Sequence, residues 1–124
     1  MRAIKGIHIL ADLYGCDEKL LDDATYLNEL VSKAVLESGL KSFGTLYHKF
    51  MPKGYTSVTL LAASHISIHT WPEHRYVAID IFACDEHEKA LKAAEIIISS
   101  LKPKRVRRII RLRGYIFKRE EIRL

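Results

Sequence analysis

Val58-Thr59-Leu60-Leu61-Ala62-Ala63-Ser64-His65-Ile66-Ser67-Ile68-His69-Thr70-Trp71-Pro72-Glu73-His74-Arg75-Tyr76-Val77-Ala78-Ile79-Asp80-Ile81-Phe82-Ala83 decides the architecture. It is rich in β-branched residues that alternate with polar ones, the period of a half-buried strand. Val58 to Ala63 and His65 to Thr70 read as two short strands flanking Ser64. Trp71-Pro72-Glu73-His74 breaks the pattern, and Arg75 to Ala83 reads as another strand. Upstream, Ser42 to Phe50 is strand-like and Met51-Pro52-Lys53-Gly54 is a turn. Further back, Ala3 to Leu10 reads as the first strand and Leu13-Tyr14-Gly15-Cys16 as a turn. Asp17 is an N-cap, and Leu20, Leu21, Ala24, Leu27, Leu30, Val31, Ala34 and Val35 recur at helical spacing until Gly39. Downstream, Asp85 opens a second helix to about Leu101. Pro103 ends it, and the basic run Val106 to Arg113 is the last strand. The order β-α-β-β-β-β-α-β predicts an α+β, two-layer sandwich: a mostly antiparallel sheet with helices on one face. The apolar content of the central strands predicts that a partner covers the other face, hence a homodimer.

A chain of 124 residues is the length of one domain. Its composition, 48% apolar and 28% charged, is that of a charge-dense globular protein. No unbroken apolar run is long enough to span a bilayer, and Met1 to Gly6 lacks the apolar stretch of a secretory signal. Two cysteines, Cys16 and Cys84, are too few for a disulfide framework, so the expected compartment is the reducing cytoplasm. Net charge is +5, and residues 102–124 hold ten of the twenty Lys and Arg with only Glu120 and Glu121 as acids. Such a tail fits nucleic acid in principle, but it lacks the interleaved aromatics of a stacking platform. A solvated strand face is the better reading. The six histidines lack metal-ligand spacing, so no metal is expected.

The run Ala63-Ser64-His65-Ile66-Ser67-Ile68-His69-Thr70-Trp71-Pro72-Glu73, followed by Asp80-x-Phe82-x-Cys84, carries the chemistry. Here the sequence resembles the small prokaryotic S-adenosylmethionine decarboxylases, which make their own cofactor by cutting their chain at a serine. Ala11-Asp12-Leu13-Tyr14-Gly15-Cys16 and His48-Lys49-Phe50 extend the likeness over nearly the whole chain. The resemblance implies that Ser64 attacks the carbonyl of Ala63, turning an amide into an ester. His69 then takes the α-proton of residue 64, and β-elimination gives chains 1–63 and 64–124, the second starting with a pyruvoyl group. That group would form a Schiff base with the amine of S-adenosylmethionine and act as the electron sink as CO2 leaves. Cys84 would return a proton to the resulting carbanion. Phe50 and Trp71 would sandwich the adenine, and Glu73 would accept hydrogen bonds from both ribose hydroxyls. The product would feed spermidine and polyamine synthesis.

Three positions depart from the family pattern. Ala63 stands where Glu is common, and the acyl shift uses only its backbone carbonyl. Gly54-Tyr55-Thr56-Ser57 replaces Gly-Val-Ser-Gly, so Thr56 supplies the hydroxyl that assists processing. Asp85 replaces the Gly after Cys84, and a carboxylate there disfavours the thiolate. Two other functions share the framework: a pyruvoyl-dependent arginine decarboxylase, and an uncut regulatory or binding subunit, which Ala63 favours. Phe50, Trp71 and Glu73 favour the nucleoside substrate, because arginine has neither adenine nor ribose.

Overall fold

The structure, a computed structural model, describes residues 5–84 and 86–114. Strand β1 (Gly6–Tyr14) leads into helices α1 (Glu18–Leu21) and α2 (Ala24–Ser38), then strands β2 (Ser42–Lys49), β3 (Tyr55–Leu61) and β4 (Ser64–Trp71). A 3-10 turn at Pro72–His74 precedes β5 (Tyr76–Cys84), α3 (His87–Leu101) and β6 (Arg105–Arg113). The strands form one six-stranded sheet in the order β2-β3-β4-β5-β1-β6, and every neighbouring pair is antiparallel. The α+β sandwich read from the sequence is therefore the observed architecture.

Period-2 alternation sorts each central strand into two faces. Ile7, Ile9, Ala11 and Leu13 of β1, Ile66 and Ile68 of β4, and Val77, Ile79 and Ile81 of β5 are buried in the core. They share that core with Leu27, Leu30, Val31, Ala34 and Val35 of α2 and with Ala90, Ala93, Ala94, Ile97, Ile98 and Leu101 of α3. Each large aliphatic side chain removed from water there contributes about 1.5–3 kcal/mol before entropy is counted. The opposite face carries His65, Ser67, His69 and Trp71 of β4 and Tyr76, Ala78, Asp80, Phe82 and Cys84 of β5, all half-buried or exposed. It also carries exposed apolar side chains, Leu46, Val58 and Leu60.

Of the boundaries that differ from the sequence reading, four bear on the helices or the core. The expected single helix after Asp17 is two. Asp17 caps α1, its carboxylate accepting from the Lys19 and Leu20 amides at 2.8 and 3.3 Å. Asp23 then caps α2, accepting from Tyr26 N at 3.0 Å. β1 runs on to Tyr14 because Leu13 is core and Tyr14 pairs with Tyr76. β3 starts at Tyr55, a fully buried ring whose hydroxyl donates to Asn28 of α2. α3 starts at His87, and the expected opening residue Asp85 lies outside the described residues.

Candidate active site

Two groups of the sequence-selected residues form, one at each end of β4. At its C-terminal end, Thr56 and His69 are directly opposed on β3 and β4. Thr56 Oγ1 and His69 Nδ1 are hydrogen-bonded at 3.0 Å. That bond orients the imidazole and leaves Nε2 as the nitrogen available for proton transfer. The same pair lines a cleft of about 370 Å³ with Phe50, Trp71 and Glu73. Trp71 ends β4, and the 3-10 turn that follows, with Arg75 in the left-handed region at φ 53, places Glu73 beside it.

Phe50 sits on the β2–β3 loop, where its amide donates to Gly54 O at 2.9 Å. Gly54 has φ 117, a conformation that favours a residue without Cβ. Asp22, at the elbow between α1 and α2, ties this loop down. Its carboxylate meets Lys49 Nζ at 2.7 Å and accepts from Gly54 N at 2.9 Å. In the sequence Asp22 sits inside the run at helical spacing, and the doubled acid Asp22-Asp23 is the signal that splits it.

The Lys49 hydrogen bond, then the Gly54 amide, hold the Asp22 carboxyl below the usual aspartate range. The charged form therefore stabilises the folded chain above the unfolded pKa of about 3.9, and that contribution is lost as pH falls through the lowered folded value. Thermal midpoints followed into acid should fall more steeply for the native chain than for Asp22→Asn. Parallel curves would mean that the tie contributes nothing.

At the other end of β4 lies Ser64, the first strand residue after the two-residue turn Ala62-Ala63, with Leu61 and Ser64 paired across it. Its hydroxyl donates to the Ala63 carbonyl oxygen. Cys84, half-buried, ends β5 opposite Gly6. The last β4–β5 pair there is His65 with Phe82, so Ser64 and Cys84 lie on adjoining strand ends. Cys16 is different: fully buried, its thiol is pushed up to about 11 by desolvation, which leaves it a packing residue.

The structure does not bring the two groups together within one chain. At a strand rise of about 3.3 Å per residue, the five steps from Ser64 to His69 span roughly 16 Å, and Trp71 is farther still. No group of three or more His, Cys, Asp or Glu side chains among the described residues is arranged to hold a metal ion.

The sequence pattern of the family described as S-adenosylmethionine decarboxylase matches residues 7–114. The chain belongs to this family. Proteins named S-adenosylmethionine decarboxylase proenzyme from Sulfurihydrogenibium sp. (strain YO3AOP1) and Persephonella marina are each 47% identical over 116 residues, covering 94% of this chain and 87% of theirs. The proenzyme of that name from Aquifex aeolicus is 44% identical over 111 residues, 90% of this chain and 82% of its own. The crystal structure of the adenosylmethionine decarboxylase from Aquifex aeolicus superposes with a TM-score of 0.88 at 41% identity, covering 94% of this chain and 97% of that one. The S-adenosylmethionine decarboxylase likeness read from residues 11–16, 48–50 and 63–84, over nearly the whole chain, is thus borne out.

Proposed function

We propose that this chain is the proenzyme of an S-adenosylmethionine decarboxylase, a carboxy-lyase, and that it cuts itself between Ala63 and Ser64. The observation that carries this reading is the Ser64 hydroxyl lying against the Ala63 carbonyl at the head of the β3–β4 hairpin. Oγ attacks the carbonyl carbon, and the amide gives way to an ester. Removal of the Ser64 α-proton then expels the Ala63 carboxylate. The dehydroalanine left on residue 64 takes up water and loses ammonia, becoming a pyruvoyl group. A hydroxyl-bearing residue at the start of a strand, with an open carbonyl before it, fits that origin. The group supplies a ketone that condenses with the substrate amine and accepts the electron pair released with CO2.

The chain's own residues do the rest. Phe50 and Trp71 hold the adenine by stacking, and the Glu73 carboxylate takes the two ribose hydroxyls. His69, oriented by Thr56, removes the proton during self-cutting. Cys84 returns a proton after CO2 departs. The product suits aminopropyl transfer in polyamine synthesis, and the cysteine usage favours a cytoplasmic setting.

The separation of the two groups along β4 supports a site shared between two copies. Ser64 and Cys84 would come from one copy; Thr56, His69, Phe50, Trp71 and Glu73 from the other. The half-exposed polar and apolar side chains of the helix-free sheet face, with Leu46 82% and Leu60 56% exposed, favour that face as the seam.

Substrate choice is tested with carboxyl-labelled compounds. Labelled CO2 is expected from S-adenosylmethionine and not from arginine. Release from arginine alone would transfer the chain to the arginine branch.

A further inference from the structure

Behind Trp71 the helix-free face carries a row of rings. Trp71 on β4 is directly opposed by Tyr76 on β5, which is directly opposed by Tyr14 on β1. Trp71 and Tyr76 stack with centroids 5.2 Å apart and planes 30° apart, and Tyr14 and Tyr76 with centroids 5.3 Å apart and planes 28° apart. Neighbouring strands lie about 4.8 Å apart, so the sheet's own spacing sets these contacts. Tyr76 is held twice: by the Tyr14 ring, and by its hydroxyl, which donates to Asp12 Oδ1 at 2.5 Å. Trp71, in contrast, is 42% exposed at a strand end. Tyr76 is its stacked neighbour, and the His69 ring lies farther off, tilted, at 6.4 Å.

We infer that Tyr76 is a positioning residue for nucleoside binding: it backs one face of the Trp71 indole and so fixes the other face for the base. The inference rests on the reading of Trp71 as an adenine platform. An unbacked indole samples several rotamers and must be ordered when the base arrives; a backed one is already ordered. That gain is the same for bound substrate and transition state, so it acts on KM and not on kcat.

The chain has a single tryptophan, so its fluorescence reports on Trp71 alone. Tyr76→Leu and Tyr76→Phe are compared with the native enzyme, using adenosine as the probe. In Tyr76→Leu the Trp71 emission shifts. Adenosine quenching weakens about three- to tenfold, the range set by the loss of one aromatic pair. KM for S-adenosylmethionine rises by the same factor, while kcat and the extent of self-cutting stay native. Tyr76→Phe keeps the ring and loses only the Asp12 bond, so it stays within about twofold of native. If Trp71→Leu raises KM but Tyr76→Leu does not, the inference fails and the adenine platform stands. If Trp71→Leu leaves KM unchanged, the platform reading falls and the inference with it. Equal losses in the Phe and Leu variants, or a fall in kcat or in self-cutting, would make Tyr76 a structural residue and overturn its positioning role.

Discussion

Ser64→Ala is expected to run as one intact chain on denaturing electrophoresis and to lose decarboxylase activity by more than about a thousandfold, because the nucleophile of the acyl shift and the source of the electrophile are one hydroxyl. The native chain should run as two pieces, 1–63 and 64–124, the second resisting stepwise degradation from its blocked N-terminus. The substitution removes one oxygen from the first residue of β4, outside the buried core, so the fold should survive and circular dichroism should match the native protein. Turnover by an uncut Ser64→Ala chain would require another electrophile, pyridoxal phosphate for example. An uncut native chain with no activity would instead support the binding-subunit reading that Ala63 invites.

The second large effect follows from the length of β4. In the proposed shared site, Ser64→Ala removes one end and His69→Ala the other. Each homodimer is inactive, but a mixed dimer joins the intact Ser64 of one chain to the intact His69 of its partner. Random mixing during co-expression makes about half the dimers mixed, each with one native site, so activity should return to about a quarter of native. Recovery should be absent when the two purified homodimers are combined without unfolding. No recovery after co-expression, with mixed dimers present by mass spectrometry, would return both residue groups to a single chain and leave their separation along β4 unexplained.

Much of this was legible because strands β4 and β5 obey a strict alternation. Ile66 and Ile68 against Ser67 and His69, and Val77, Ile79 and Ile81 against Ala78 and Asp80, announce both the strand and its two faces. What escaped has physical reasons. An aspartate that caps a helix and one that merely sits in its first turn look alike in a string, so the break at Asp22-Asp23 was read through. Leu13-Tyr14 beside Gly15-Cys16 looked like punctuation, yet Leu13 is core and Tyr14 ends the aromatic row. The motif around Ser64 and His69 was visible as neighbours in sequence. A pleated strand turns that sequence proximity into opposite ends of β4, roughly 16 Å apart.

The strand order also decides what becomes of a severed molecule. Fragment 1–63 would own β1, β2 and β3, and fragment 64–124 would own β4, β5 and β6. Across the sheet these lie as β2-β3, then β4-β5, then β1, then β6, so the halves interleave like fingers along three seams. A nick at the hairpin therefore releases a covalent link without releasing either piece. What it changes is the reference state: once melted, the halves must find each other by diffusion, so the matured protein's thermal resistance would depend on its concentration through a reunion the proenzyme never needed.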